Sequence, residues 1–354
     1  MPSWWESCVI KSKSMAKEKI NWLLILQGWA MLWVVIGHSF VGEHLKGPEW
    51  ESAITNFAYT FHMPLFMLVS GWLFYLTRLK AYKASGGVSV NSSELIVDGW
   101  TYWRIVQDKS LRLLLPGVVF SIISFAVKIA FPGEVSRQTG ISLKEIVVAF
   151  LYPYDNPFRE LWFIVALYWF FMLTPFWRFV LKRKWTMYGS VLLLGCLHFV
   201  HPETTLLSID KVCLHALWFY LGILICKNDL VTKVFNKQLY LTMGIGVVMY
   251  LVRHYIPLFG TIGLILFSFG LALLADRFVP RLYSSFRNYT YQIFLMGIFA
   301  QMAVKIAYRH IEMPYVLAYL LCITMGLYVP VIVSKIIERI NWKPLSLCIG
   351  LKTK

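Results

Sequence analysis

Charge is what this chain has least of. Only 15% of its 354 residues are Asp, Glu, Lys or Arg, where soluble domains carry about 25%. With 58% hydrophobic residues and a mean hydropathy of +0.62, that shortage excludes a soluble Rossmann or barrel enzyme and a disordered tail. Cysteine supplies no framework either. Cys8 and Cys348 lie in basic tails, and Cys196, Cys213, Cys226 and Cys322 lie in or at the ends of apolar blocks. None has the CxxC or histidine-paired spacing of a metal site. They read as reduced packing residues, so neither a disulfide scaffold nor a bound metal is expected. Acidic residues are also scarce, 18 against 34 Lys and Arg, for a net charge of +16. A soluble protein of that charge would suggest a nucleic-acid partner. In a multispan chain the positive-inside rule explains the excess first, and no nucleic-acid partner is expected. No internal repeat is visible.

The chain does have long apolar runs. Runs of ~20 residues can cross a ~30 Å hydrocarbon core as helices. Ten such blocks fall near 20–39, 57–77, 111–131, 161–181, 187–202, 212–226, 239–254, 258–275, 289–308 and 314–336. The expected fold is an all-α polytopic membrane protein, about ten transmembrane helices in one bundle. A basic segment 1–19 precedes the membrane domain 20–336, and a basic tail 337–354 follows it. The stretch 143–152 is too short to span and suits a helix dipping into the outer surface. Residues 95–104 turn amphipathic, which suits a helix lying in the cytoplasmic interface.

Charge sets the orientation. With the N-terminus inside, the inner segments receive 25 of the 34 Lys and Arg residues and the outer side 9. That asymmetry over short loops predicts cytoplasmic termini. The first span follows Lys11, Lys13, Lys17 and Lys19 but ends Val35-Ile36-Gly37-His38-Ser39. Its length and the absence of a small-residue cleavage site favour a retained helix over a signal peptide.

Ionisable groups inside spans are costly, so they are functional candidates by default. Gln27 and His38 are eleven residues apart, which at ~100° and ~1.5 Å per residue puts them on one helix face roughly 16 Å apart. The ordinary alternative is an interhelical contact for Gln27 and a wetted interfacial His38. In Phe61-His62-Met63-Pro64, Pro64 removes an amide donor and frees the Thr60 carbonyl. His62 falls toward the depth of His38, but so do His44, His198, His201, His215, His254 and His310. Ser70-Gly71 allows close backbone approach between helices. Glu160, at the start of the fourth span, could orient a histidine, grip a sugar hydroxyl, or simply favour a helix N-terminus. Lys109 and Arg112 stand where the third span begins. They suit a polyphosphate ligand from the cytosol or plain positive-inside anchoring.

These runs carry a family resemblance. Val34-Val35-Ile36-Gly37-His38-Ser39, Phe61-His62-Met63-Pro64-Leu65-Phe66 and Ser70-Gly71 resemble the histidine motifs of membrane-bound acyltransferase family 3. Weaker echoes are Lys109…Arg112…Pro116, Leu161-Trp162-Phe163, Trp218-Phe219-Tyr220-Leu221-Gly222 and Asn288-Tyr289-Thr290-Tyr291-Gln292-Ile293-Phe294. The chain is most similar to the polysaccharide O-acetyltransferase branch that includes fucose 4-O-acetylase-like proteins. Two positions depart from the pattern. Gln27 stands where the family usually carries Arg or Lys, and Met296-Gly297 stand where relatives often have a late histidine.

The resemblance implies a bacterial cytoplasmic-membrane enzyme that moves an acyl group, most often acetyl, from cytosolic acyl-CoA to a glycan or lipid-linked sugar outside. It implies no metal. His38 is then the general base or an acyl relay. His62 steadies the acceptor, polarises the thioester carbonyl or shares the proton, and Glu160 fixes a histidine tautomer or holds the sugar. Lys109, Arg112, Gln27 and Ser70 fall to the donor side. CoA phosphates cannot enter hydrocarbon unpaired, so they should stay at the inner mouth. Membrane lipids surround the domain. With only the short tail after the last span, the acceptor is expected to be handled directly or passed to a separate partner. The competing readings are a transporter or flippase of lipid-linked glycans and a catalytically inactive member that has lost the charge at Gln27. Transporters often show matching broken helices in two halves, and no such pairing is visible here.

Overall fold

The computed structural model describes residues 4–41, 47–84, 99–131 and 142–351, with backbone alone for 4–20, 79–84 and 99–101. Every regular element among the described residues is a helix. In order these are α1 (Trp4–Gly37), α2 (Glu49–Ala84), α3 (Gly99–Lys109), α4 (Leu115–Ala130), α5 (Leu143–Leu151), α6 (Leu161–Met172) and α7 (Thr174–Val180). They continue as α8 (Lys184–Phe199), α9 (Ile209–Lys227), α10 (Leu239–Leu251), α11 (Pro257–Phe278), α12 (Thr290–His310), α13 (Tyr315–Ile340) and α14 (Lys343–Cys348).

All ten apolar blocks are helical. Six stretches are long and apolar enough by themselves to cross a membrane: Glu49–Arg78, Tyr102–Ala130, Leu206–Lys227, Pro257–Phe278, Arg287–His310 and Tyr315–Ile340. The pair α6 and α7 makes a seventh if its 52° bend is one broken span. Asn21–Gly37 and Leu239–His254 are shorter apolar helices. The chain is therefore a polytopic, all-helical membrane protein. By their contacts the helices group into two compact units. The first is Met1–Phe66 with Asp229–Thr290, and the second is Met67–Asn228 with Tyr291–Lys354.

In the first unit, α11 packs against α1 and pairs with α10. The Trp29 indole N–H donates to Ser268 Oγ at 3.0 Å, and Trp22 meets Phe269 at 5.8 Å between rings. At the basic end of this unit, Asn21 bonds Asp276 and accepts from Arg287 Nη2 at 2.8 Å. Arg287 Nη1 also reaches the Pro280 and Leu282 carbonyls at 3.1 and 3.0 Å. These bonds tie the loop after α11 to the start of the first apolar block, and the two from Arg287 Nη1 pair backbone carbonyls of that loop.

Prolines shape the helices of the second unit. Pro116 has no amide to offer the Arg112 carbonyl, and there the helix widens. Ser110–Leu114 form a π turn, and the Leu115 N–H bonds the Ser110 carbonyl. The widening keeps the helix continuous, so Tyr102–Ala130 is one helical stretch. The amphipathic segment expected to lie apart in the interface is instead, from Gly99 onward, the start of that stretch; Leu95-Ile96-Val97 lie outside the described residues. Pro175, in the first turn of α7, ends α6 and gives the bend. Helix α5 opens with a full capping box, in which Ser142 accepts from the Glu145 amide and Glu145 accepts from the Ser142 amide. The Ser142 hydroxyl also donates to the Glu145 carboxylate at 2.5 Å, and that bond, ahead of the one from the Ser142 amide, holds the carboxyl below its ordinary pKa.

Helices α2 and α9 touch backbone to backbone. A Cβ at Gly71 would overlap the Phe219 carbonyl, and one at Gly222 would overlap the Leu68 carbonyl. Only glycine permits this approach. Around the crossing, Phe170, Trp177, Phe219 and Tyr220 are almost fully buried. The basic tail also packs: the Ile349 carbonyl accepts from Gln292 Nε2 at 3.1 Å, and Leu351 is buried.

Candidate functional site

The first unit brings the two motif histidines to one aromatic ring. Helix α1 ends at Gly37, and the His38 amide is shared between the Val34 and Val35 carbonyls, each at 3.2 Å. His38 therefore sits on the fraying last turn and is half-buried. Its imidazole meets the Tyr59 ring edge-on at 5.8 Å, and Tyr59 meets His62 edge-on at 5.0 Å. Tyr59 itself is 48% exposed. So one imidazole and the bridging phenol are accessible, while His62 is 1% exposed.

The buried imidazole has a fixed tautomer. His62 Nδ1 lies 2.6 Å from the Ala58 carbonyl. A carbonyl can only accept, so Nδ1 carries a proton, and in the neutral ring Nε2 keeps the lone pair. This bond needs the helix register that places residue 58 one turn before 62. The carbonyl freed by Pro64 is not wasted. Thr261 Oγ1 on α11 donates to the Thr60 carbonyl at 2.8 Å, and Thr60 Oγ1 donates to Asn56 at 2.8 Å. The freed carbonyl is thereby paired with a residue two hundred positions away in sequence.

Two further residues hold this region. Glu51, 6% exposed, accepts the Val41 amide at 3.3 Å and ties the segment after His38 to the first turns of α2. Tyr250 packs against Phe57 at 5.7 Å and carries the Arg253 guanidinium 4.0 Å above its ring. Gln27 is on α1 in the same unit, partly buried.

The second unit holds the cations. Arg112 Nε pairs with Asp108 at 2.7 Å and is 44% exposed. Lys109 Nζ lies 4.0 Å from the same carboxylate and 4.2 Å over the Phe171 ring. Arg78 also feels the Asp108 charge. Three cations thus face one carboxylate at the start of the third apolar block, leaving net positive charge. Solvent-accessible pairs of this kind are individually weak, about 0–1 kcal/mol, so a phosphate can replace the carboxylate. Ser70 precedes Gly71 at the backbone crossing and is partly exposed. Glu160 occupies the cap position of α6 without bonding its first amides through the side chain.

Of the other histidines near the expected outer depth, His44 lies outside the described residues. His215 is buried and stacks on Trp162 at 5.9 Å, and His198 bonds the Leu214 carbonyl at 2.6 Å. Both belong to the second unit. Tyr59, Glu51, Thr261, Arg78 and Asp108 were missed by sequence reasoning. Tyr59 stands inside the second histidine motif, but nothing in its spacing tells that its ring reaches both imidazoles.

A polytopic helical membrane protein with paired histidines in one unit and a cationic mouth in the other fits a narrow class. Over residues 20–335 the chain matches the acyltransferase domain of acyltransferase family 3, and it belongs to that family. It is a multi-pass membrane acyltransferase. No curated protein and no solved structure gives a match.

Proposed function

We propose that this acyltransferase moves an acyl group, acetyl in the simplest case, from cytosolic acyl-CoA to a hydroxyl of an envelope glycan or lipid-linked sugar. The chain sits in the bacterial cytoplasmic membrane as ten spans with both termini inside. The observation that carries the chemistry is the pair of imidazoles on Tyr59, one accessible and one locked by Ala58. A sugar hydroxyl is a poor nucleophile at neutral pH, and an imidazole lone pair is suited to take its proton. His38, on the accessible last turn, is the base toward the acceptor hydroxyl. His62 offers only Nε2, a lone pair. In its neutral form it cannot donate to a thioester carbonyl, which favours proton sharing among the roles open to it.

The proposed donor seat is Arg78, Lys109 and Arg112. Fork and ammonium donors suit phosphate oxygens, and the CoA phosphates need such partners because unpaired charge is costly in hydrocarbon. Asp108 occupies the cations until donor arrives. Glu160 remains the candidate for the acceptor side, and Gln27 and Ser70 for the thioester arm.

The test is purified protein with radiolabelled acetyl-CoA, comparing wild type, His38→Ala and Gln27→Arg. CoA release or label transfer in wild type that falls by a factor of about 100 or more in folded His38→Ala is expected for a lost general base. Full activity in His38→Ala sinks the assignment. Activity confined to Gln27→Arg identifies a decayed enzyme, and neither donor binding nor turnover in either protein moves the chain to transport.

A further inference from the structure

The second unit contains a polar cluster that the chemistry above does not use. The chain entering α9 passes through two successive left-handed residues, Leu207 (φ 48°) and Ser208 (φ 59°). Neither is glycine, so the turn is strained, and strained turns of this kind gather at functional sites. The Trp169 indole N–H holds it in place, donating to the Leu207 carbonyl at 3.2 Å. The strain delivers two buried polar groups. Ser208 is 0% and Asp210 5% exposed, and the Ser208 hydroxyl and Asp210 Oδ1 have no hydrogen-bond partner. Buried acceptors and hydroxyls without partners are rare and need a reason.

Around them stand a cation and an aromatic wall. Asp210 Oδ2 pairs with Lys211 Nζ at 3.1 Å, and Lys211 lies 5.1 Å from the Tyr154 ring centre. Tyr154 and Trp162 are near parallel, 23° apart with centroids at 6.0 Å. Trp162 and His215 repeat the arrangement at 5.9 Å and 22°. Trp162 thus stands near parallel to both Tyr154 and His215, and Tyr154 and Trp162 are each only partly buried.

We propose that Tyr154, Trp162, Ser208, Asp210 and Lys211 form a carbohydrate subsite that takes one neutral sugar ring. Sugar C–H faces lie on the accessible parts of Tyr154 and Trp162, and the hydroxyls satisfy the groups left over: they donate to Asp210 Oδ1, exchange with Ser208 and accept from Lys211. Charge selects this class. Asp210 and Lys211 pair with each other, and the guanidinium of the exposed Arg159 lies 6.0 Å from the Tyr154 ring centre; the surplus positive charge disfavours a quaternary ammonium and Asp210 Oδ1 disfavours a phosphate, whereas a hydroxyl can both donate and accept. The subsite rests on the glycan-acceptor reading and gives it an address in the second unit.

The test is saturation-transfer NMR on the full chain in detergent. The probes are methyl α-D-glucopyranoside, methyl α-D-galactopyranoside and methyl α-L-fucopyranoside, with choline and inorganic phosphate as contrasts. At least one glycoside should receive saturation at its ring protons. Asp210→Asn, Lys211→Met and Trp162→Leu should each weaken its binding by about tenfold or more, as loss of a charge-assisted bond or a stacking face implies. Melting curves report folding, and the isosteric Asp210→Asn decides if Trp162→Leu unfolds. Glycoside signals unchanged in Asp210→Asn, no signal from any glycoside, or saturation of choline or phosphate instead would each overturn the subsite. Acetyl-CoA turnover by the same wild-type preparation separates the two readings. Turnover without glycoside saturation removes the subsite alone, and Asp210-dependent saturation without turnover removes the acyltransferase reading alone.

Discussion

The two compact units solve the same packing problem and then diverge in chemistry. Each joins two helices through facing glycines: Gly246 and Gly263 in the first, Gly71 and Gly222 in the second. In both, an added Cβ would strike the opposite backbone. Close backbone approach is how helices hold together where lipid offers no hydrophobic drive. In the first unit the buried His62 is held by backbone, its Nδ1 on the Ala58 carbonyl, and the Arg253 guanidinium lies over the Tyr250 ring. The second sets cations directly against carboxylates, as in Arg112 with Asp108 and Lys211 with Asp210. The difference teaches that a polar group in a helical membrane protein can be satisfied by a carbonyl or an aromatic face, or by an opposite charge close by in the chain.

The comparison can be broken most directly at His62. His62→Ala should lower acyl transfer per folded protein by about 100-fold or more, as expected for a group that handles a proton, while the buried cavity it leaves lowers the melting temperature as well. Radiolabel transfer per folded protein reads this, and near-normal turnover would reduce His62 to packing. The glycine crossings come next. Gly222→Ala and Gly246→Ala should each destabilise by about 1–3 kcal/mol, the ordinary cost of overpacking. Gly222→Ala should be the worse of the two, because its Cβ is driven deeper into backbone. Thermal unfolding in detergent ranks them, and equal stability to wild type would mean the helices slide freely.

Thr261→Val tests the bond to the Thr60 carbonyl. It removes the donor from a part-buried acceptor and should cost about 1 kcal/mol. Turnover should fall with it, since Thr60 neighbours Tyr59 and His62 in sequence. A stable variant with altered turnover would show that the bond positions rather than stabilises. The smallest effect belongs to the second unit. Asp108→Asn should tighten CoA binding by about threefold to tenfold, because it removes a competing carboxylate from the cations at a solvent-exposed pair. Calorimetry with CoA measures it, and weaker binding would make Asp108 part of the seat.

Much of this was legible in the chain. The ten helical blocks followed from run length, and His38 and His62 stood out because ionisable residues are expensive in a span. The consequence of Pro64 was also readable, since a missing amide must free the Thr60 carbonyl. That Thr261 would take that carbonyl was not readable, because pairing across two hundred residues leaves no local trace. The interfacial helix expected around residues 95–104 shows the opposite limit. Its amphipathic pattern was real, but the π turn at Pro116 let the helix run on, and pattern alone does not report continuity.

By itself the sequence determined what the solvent dictates: helices, their lengths, the basic excess and the scarcity of charge inside the spans. Those follow from hydrocarbon thickness and the need to satisfy every backbone amide. Only the tertiary structure decided which side chains meet: His38 and His62 on Tyr59, three cations on Asp108, and Asp210 with an unpartnered oxygen beside an aromatic wall. Such meetings are set by the packing of helices distant in sequence, and periodicity along one helix carries no information about its neighbours.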